Sequence, residues 1–217
     1  MINLELTRRN APLRILCLGA HSDDIEIGCG GTVLKLVREH PSVEIDWVVF
    51  SAAGARKKEA LAGAEAFQKG AARRNVVLKS FRDGFFPYMG GEIKDYFEQL
   101  KKKVHPDVIF THGRSDLHQD HRLISELTWN TFRDHLILEY EIPKYDGDLG
   151  TPNVYVPLDP ATVKAKIRHI LARFPSQAGN GWFTEGTFRA ILRLRGIESN
   201  ASSGFAEGFC GHKLILS

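Results

Sequence analysis

The sequence is poor in cysteine. Only Cys17, Cys29 and Cys210 occur among the 217 residues, and no two of them have the C-x-x-C spacing of a zinc knuckle or a thioredoxin-type redox motif. So small and odd a number is typical of a reducing compartment. The first thirteen residues also lack the apolar run that a signal peptide needs. We therefore predict a cytoplasmic protein.

Excess charge of one sign and long apolar runs are missing as well. The 29 Lys and Arg residues nearly balance the 26 Asp and Glu residues, which gives a net charge of +3. Because phosphate binding needs a concentrated basic face, this balance argues against nucleic acid as a partner. No stretch approaches the roughly 18 apolar residues of a membrane span. We expect no stable membrane insertion, although action on a lipid-linked substrate at a membrane surface stays open.

The chain does contain an alternation of strand and helix patterns over its first part. Short apolar or β-branched runs predict strands, and the segments between them carry apolar residues at helical spacing. The predicted strands are 14–20, 43–51, 75–81, 107–111 and 136–142, and the predicted helices are 26–40, 56–72, 91–104 and 118–133. This alternation predicts an α/β fold, with a Rossmann-like, mainly parallel sheet and helices on both faces.

The remaining residues follow a different pattern. After a loop rich in Gly, Asp and Pro, we predict a strand at 153–158, helices at 161–174 and 183–195, and an extended segment at 205–216. No internal repeat or low-complexity tract separates these elements from the rest of the chain. We interpret them as a C-terminal elaboration of one domain that covers residues 1–217.

Two polar clusters follow predicted strands, at the edge where doubly wound sheets bind ligands. The first strand runs into A-H-S-D-D, and the fourth runs into 111–121, which contains three further histidines. His21 and Asp24 are three residues apart, as are His118 and His121, so each pair shares one face of a helical turn. Two histidines and one carboxylate with an open position are typical ligands of catalytic zinc. The pattern therefore predicts a divalent metal site.

Each cluster alone also has a simpler interpretation. Asp23 and Asp24 could cap the following helix, because carboxylates favour a helix N-terminus. His118 and His121 could be exposed residues of a helix. The occurrence of both clusters at strand ends of one parallel sheet favours the metal site over these interpretations.

The clusters resemble the two motifs of the PIG-L/LmbE family of zinc-dependent N-acetylglucosaminyl deacetylases. The family's A-H-P-D-D-E with a following glycine pair stands as Ala20-His21-Ser22-Asp23-Asp24-Ile25 with Gly30-Gly31, and its H-P-D-H stands as His118-Gln119-Asp120-His121. Its R-x-x-E, its Asp after the third strand and its Y-A-E-G-F match Arg56-Lys57-Lys58-Glu59, Asp83 and Phe205-Ala206-Glu207-Gly208-Phe209. The resemblance thus spans nearly the whole chain.

The sequence departs from the family pattern at a few positions. Ser22 and Gln119 replace prolines, and neither is a ligand position, so the metal site is expected to survive. Ile25 replaces a Glu, with Glu26 one place later, and Phe205 replaces a Tyr and so lacks its hydroxyl.

The resemblance implies a role for each motif residue. Three side chains would bind one Zn²⁺ per chain, with Fe²⁺ or another divalent metal as the alternative; the implied ligands are His21, Asp24 and His121. Asp23 would be the general base on the attacking water. His118 would stabilise the oxyanion or protonate the leaving amine, and Asp120 would orient His118.

The implied activity is removal of the N-acetyl group from an N-acetylglucosamine-type sugar or conjugate. Arg56, Asp83, Arg114 and the loop around 146–148 are the candidates to bind the sugar and its aglycone. The expected partner is a small N-acetylated sugar. Because the family commonly forms trimers and hexamers, the resemblance also implies a homo-oligomer.

Two other functions stay open at the level of sequence. Two histidines and a carboxylate also suit the Fe(II) of a non-haem oxygenase. Those triads generally belong to β-sandwich folds, however, and Asp23 as a spare carboxylate suits hydrolysis better. A catalytically idle sugar-binding module would be favoured if Asp23 or a ligand were missing, and none is.

Overall fold

The computed structural model describes residues 3–7 and 11–215. Residues 1–2, 8–10 and 216–217, which belong to the predicted domain 1–217 and in part to the predicted extended segment 205–216, lie outside the described residues. Within the described ranges, every helix is too short or too polar to traverse a lipid bilayer.

The described residues form one sheet of seven strands, in the order β3-β2-β1-β4-β5-β7-β6. The strands are β1 (Leu13–His21), β2 (Val43–Ser51), β3 (Arg73–Leu78), β4 (Val108–His112), β5 (Leu136–Tyr140), β6 (Val154–Pro157) and β7 (Ala206–Gly211). The strands from β3 to β5 pair in parallel, whereas β7 runs antiparallel to both β5 and β6. The prediction of a mainly parallel α/β sheet is therefore confirmed.

Helices cover both faces of the sheet, as predicted. In the described part of the chain they are α1 (Asp24–Glu39), α2 (Gly54–Phe67), α3 (Gly90–Lys101), α4 (Gln119–Thr131), α5 (Pro160–Arg173) and α6 (Glu185–Glu198), with short 3-10 turns at Phe86–Met89 and Pro175–Gln177. One hydrophobic core joins α1, α2, α5 and α6 to one face, and a second joins α3 and α4 to the other.

The central strand β1 contributes to both cores. Ile15 and Cys17 lie in the first core, and Leu16 and Leu18 lie in the second. Because successive side chains of a strand point to opposite faces, a strand buried on both faces needs a nearly continuous apolar run. For this reason the apolar run before the first polar cluster predicted a strand at 14–20, close to the observed bounds Leu13–His21.

Most helix boundaries differ from the predictions by one to five residues, and two of them have a clear structural reason. Helix α1 begins at Asp24 rather than at Glu26, so the first motif includes the first turn of the helix. Helix α2 ends at Phe67 rather than at residue 72. Gly70 has a φ of +103°, a left-handed conformation that ends the Ala-rich helix before β3 begins.

The C-terminal elements fasten α1 to the sheet. Gly31 and Thr32 donate their backbone N–H groups to the carboxylate of Glu207 in β7, at 2.7 and 2.6 Å. Lys166 of α5 lies 2.5 Å from Glu207 and donates to the Ile27 carbonyl at 2.6 Å. A Cβ atom on residue 31 would lie 2.8 Å from a Glu207 oxygen, so this approach requires a glycine.

Candidate active site

The two motifs meet at the carboxyl edge of β1 and β4, which are paired neighbours. His21 is the last residue of β1, and His118 directly precedes α4. The centroids of these two imidazole rings lie 4.9 Å apart. The prediction that both clusters share one edge of the sheet is confirmed.

Three side chains form a compact triangle of donor atoms at this edge. His21 Nδ1 lies 3.1 Å from His121 Nε2 and 3.4 Å from Asp24 Oδ2, and His121 Nε2 lies 3.6 Å from Asp24 Oδ1. All three residues are buried. In a tetrahedral zinc site with bonds of about 2.0–2.1 Å, ligand atoms are roughly 3.3 Å from one another. The spacings are close to those between zinc ligands, although the two Asp24 contacts are made by different carboxylate oxygens.

Other side chains enlarge this set of donors. Among the described residues, three overlapping groups have donor atoms within 4.8 Å of one another, and none of them unites His21, Asp24 and His121: they are His21, His118 and His121; Asp24, His112 and His121; and His21, Asp83 and Asp120. His112, for which no individual role was predicted, accepts the Ala20 N–H at Nε2 over 3.0 Å. Because that lone pair is occupied, His112 is a poor ligand from this nitrogen.

The charges around His121 and Asp24 favour metal binding. Burial lowers the pKa of His121 to about 4, and the neighbouring His112 adds to this shift, so the imidazole is neutral with a free lone pair. Burial alone would raise the pKa of Asp24, but His121, His112 and His21 hold it well below its usual range. A neutral imidazole and an ionised carboxylate are the forms that bind metal ions. Burial alone would lower the pKa of His21, but Asp24, Asp120 and Asp83 hold it well above its usual value, so a metal ion must displace a proton there.

Asp23 lies next to the triangle in sequence and pairs with an arginine. Its Oδ1 accepts a hydrogen bond from Arg56 Nη2 of α2 over 2.6 Å. Burial and the Asp24 carboxylate raise the pKa of Asp23 to about 6, while Arg56 and His21 act in the opposite direction. Although Asp23 precedes α1, its side chain does not cap that helix. Arg56, expected at the substrate, is instead a partner of the expected base.

Asp120, predicted to orient His118, makes its side-chain hydrogen bonds to other groups. Its Oδ2 accepts the Gly84 N–H at 2.7 Å and lies 3.2 Å from His21 Nε2, and its Oδ1 accepts the Phe86 N–H at 3.1 Å. The backbone N–H of Asp120 donates to His118 Nδ1 at 3.3 Å. His118 thus caps α4 by accepting from the Asp120 backbone, and the Asp120 carboxylate contacts His21.

The expected substrate-binding residues divide into two groups. Asp83 is at the site, since its Oδ1 lies 3.1 Å from His21 Nε2 and its side chain is 60% exposed. Arg114 is engaged elsewhere: its Nε donates to Glu139 at 3.1 Å, and its guanidinium lies 3.8 Å from the centre of the Trp129 ring. The structure thus brings Asp83 to His21 and pairs Arg114 with Glu139 of β5 and Trp129 of α4.

One functional neighbour was missed by sequence reasoning. Asp116 Oδ2 lies 2.9 Å from His121 Nδ1, and Asp116 Oδ1 accepts the His118 N–H at 2.8 Å. A carboxylate on the second nitrogen of a metal-binding histidine fixes the tautomer and orientation of the ring. An acidic residue two places before His118 was the available signal.

Comparison with known proteins identifies the family. The model of the PIG-L family, described as GlcNAc-PI de-N-acetylase, matches residues 16–132. The chain belongs to the PIG-L family. The matched residues include both motifs and every member of the donor triangle.

Solved structures share the fold of this PIG-L protein. An N,N'-diacetylchitobiose deacetylase from Pyrococcus horikoshii is 21% identical with a TM-score of 0.71, covering 92% of this chain and 83% of its own. A zinc-inhibited form of a teicoplanin deacetylase is 13% identical with a TM-score of 0.71, covering 91% and 97%. A 4-carboxy-2-hydroxymuconate hydratase from Pseudomonas putida is 17% identical with a TM-score of 0.69, covering 94% and 98%. Since the fold hosts both kinds of enzyme, the reaction must be argued from the site.

Proposed function

We propose that this PIG-L protein is a metal-dependent hydrolase that removes the N-acetyl group from an N-acetylglucosamine-type sugar or conjugate. The observation that carries the proposal is the triangle of donor atoms from His21, Asp24 and His121, with the Asp23 carboxylate beside it. The family's description as a GlcNAc-PI de-N-acetylase and the two deacetylases of the same fold support the choice of reaction and sugar.

The donor set fits one Zn²⁺ per chain. Two imidazole nitrogens 3.1 Å apart and the Asp24 carboxylate, with Oδ2 at 3.4 Å from His21 and Oδ1 at 3.6 Å from His121, leave a fourth position open, as catalytic zinc sites do. Fe²⁺ or another divalent metal is chemically compatible with the same donors. A bound zinc ion would polarise the acetyl carbonyl and lower the pKa of a water from 15.7 to about 7.

Asp23 acts as the general base in this proposal. With a pKa of about 6 it is largely ionised at neutral pH, so its carboxylate can accept a proton from the attacking water. Arg56 Nη2 donates to Asp23 Oδ1 over 2.6 Å, which restricts the orientation of the carboxylate. The proton taken by Asp23 is then available for the leaving amine.

His118 is suited to stabilise the oxyanion. Burial and the nearby His21 lower the pKa of His118, so its ring is neutral at the working pH. Because Nδ1 accepts the Asp120 N–H, the neutral ring carries its proton on Nε2. A donor of this kind beside the acetyl carbonyl stabilises the negative charge that develops on its oxygen. Between the two roles expected for His118, this geometry favours oxyanion stabilisation.

The two alternative functions have less support. The parallel sheet is unlike the β-sandwich that usually carries a 2-His-1-carboxylate oxygenase site. An idle sugar-binding module would not need Asp23, which here has both a raised pKa and a dedicated arginine partner. The single domain, the cytoplasmic location and the homo-oligomer stay predictions.

The test is acetate release across a panel of free and conjugated N-acetylglucosamine derivatives, combined with metal analysis. We expect one metal ion per chain, acetate release from at least one compound, loss of release with a chelator and recovery with added Zn²⁺. The matched control is Asp23→Asn, which keeps the donor triangle. Metal-loaded protein that releases no acetate from any compound, or that consumes oxygen with an oxo-acid, would contradict the proposal.

A further inference from the structure

His121 is connected to a buried network of charged side chains. The His121 ring, 2% exposed, faces Asp116 with Nδ1 and the donor triangle with Nε2. Because an ionised carboxylate only accepts hydrogen bonds, the Asp116 contact requires the His121 proton to be on Nδ1. The Nε2 lone pair is then directed at His21 and Asp24. The orientation of the Asp116 carboxylate therefore decides whether His121 presents a lone pair or a proton to the site.

Lys144 is the cation that holds Asp116. It lies in the loop between β5 and β6, beyond the residues that the family model matches. Its Nζ is 3.1 Å from Asp116 Oδ1, the oxygen that His121 does not use, and it also contacts Asp148. The Lys144 side chain is only 10% exposed, and the two carboxylates are 6% and 5% exposed.

Asp148 is the second carboxylate that contacts the Lys144 ammonium. Its Oδ2 accepts the Leu117 N–H at 2.7 Å, next to the Asp116 carboxylate in sequence. The ammonium of Lys144 thus lies between two buried carboxylates, of which Asp116 bonds the second motif and Asp148 bonds Leu117 just before it. Without this ammonium, the two negative charges would repel each other in a poorly screened environment. Asp116 would then lose one of the contacts that fix its position.

We propose that Lys144 is a positioning residue for the His121 imidazole, acting through Asp116 to keep the His121 proton on Nδ1 and Nε2 free toward the donor triangle. This rests on the proposed metal-binding role of the triangle. A plain loop fastening is the simpler interpretation of the same ion pairs, but Lys144 contacts the very carboxylate that bonds His121. Loss of such outer contacts typically weakens metal binding about 10–100-fold.

The first test is made on metal-free wild-type protein, where the tautomer of His121 is read from imidazole ¹⁵N–¹H correlation spectra. We expect the Nδ1–H form. The Nε2–H form in the wild type would overturn the proposal without any variant. Because this readout needs no metal, it stays decisive even if the wild-type protein fails to bind zinc, which would overturn the proposed function instead.

The second test compares zinc affinities by competition with a chromophoric chelator. Lys144→Met should weaken zinc binding about 10–100-fold and mix the His121 tautomers, and Lys144→Arg should restore most of both. The matched control is Lys94→Met, which removes a lysine that pairs with Glu98 at 2.6 Å on the surface of α3. It should change neither readout. Wild-type zinc affinity and an unchanged tautomer in Lys144→Met would refute the proposal, as would an equal loss in Lys144→Arg.

Asp148→Asn separates positioning from loop fastening, and it serves if Lys144→Met does not fold. It removes one partner of Lys144 and leaves the Asp116 contact in place. We expect the Nδ1–H tautomer to persist and zinc affinity to change no more than a few-fold. If Asp148→Asn loses as much affinity as expected for Lys144→Met, fastening of the loop, and not the contact with Asp116, is what matters.

Discussion

The parallel strands and the C-terminal antiparallel strands serve the site in different ways. The ends of β1 and β4 lead into all the groups proposed to react, which are His21, Asp23, Asp24, His118 and His121. The chain beyond residue 132 supplies supporting contacts: Glu207 binds the backbone of α1, and Lys144 binds Asp116. The groups proposed to react thus lie within the first 132 residues, whereas part of their support comes from the rest of the chain. The family model matches the part that carries the chemistry.

The largest effect is expected when one of the proposed metal ligands is removed. We expect His121→Ala to lose its metal and to lower acetate release to background, because two donors remain from the triangle. Metal stoichiometry of the purified variant is the measurement. His105→Ala, at an exposed position, is the control. His118→Ala should keep its metal, and unchanged stoichiometry in His121→Ala would show that the ligand set is another one.

The two neighbouring aspartates divide binding from chemistry. Asp23→Asn should retain zinc and lose on the order of 10²–10⁴ in kcat, because it removes the base but no donor. Asp24→Asn should weaken zinc binding, since an amide is a poorer ligand than a carboxylate. Steady-state kinetics and metal analysis of both variants are the measurements. If Asp23→Asn is the variant that loses zinc, the two roles are reversed.

A change in the supporting region should act on stability first. Glu207→Gln leaves Lys166 buried without its charge partner, and breaking a buried pair costs about 3–5 kcal/mol. The control is Glu185→Gln, which breaks an exposed pair with Arg189 worth about 0–1 kcal/mol. Denaturant unfolding measures both. A normal unfolding free energy with kcat reduced as in Asp23→Asn would mean that Glu207 takes part in the chemistry.

The smallest expected effect is a displaced pH profile. Activity requires ionised Asp23, so it should fall as the pH drops through the pKa of that carboxyl, which is about 6 in the metal-free protein. Arg56 lowers this pKa, and Arg56→Gln should therefore move the acid limb of kcat to higher pH. The exposed neighbour Lys57, changed to Gln, is the control. An acid limb unmoved in Arg56→Gln would separate Arg56 from Asp23.

Much of the parallel half could be predicted from the sequence. Strand β2 has the predicted bounds Val43–Ser51, since a central strand buried on both faces leaves an apolar run that ends where burial ends. The position of β7 between β5 and β6 could not be predicted. Its antiparallel pairing depends on contacts with distant segments, which a local pattern does not encode.

In the candidate site, too, contacts between distant segments could not be predicted from local patterns. Residues that follow a strand end were found, because the edge of a parallel sheet collects them. The partner of Asp120 was not found, since its carboxylate meets the backbone of Gly84, 36 residues earlier in the chain. The hold of Lys144 on Asp116 likewise joins two loops that are adjacent only in the folded protein.

The contact between Gly31 and Glu207 has a consequence for the order of events during synthesis. The two residues are 176 positions apart, so nearly the whole chain must be synthesised before the backbone of α1 can bond the Glu207 carboxylate. Once residues 1–200 have left the ribosome, every proposed metal donor has been synthesised. Strand β7, which holds α1 against the sheet, has not. We expect truncated chains ending before β7 to bind zinc more weakly than the full chain, which chelator competition on both would reveal. Maturation of the site would then be among the last steps of folding.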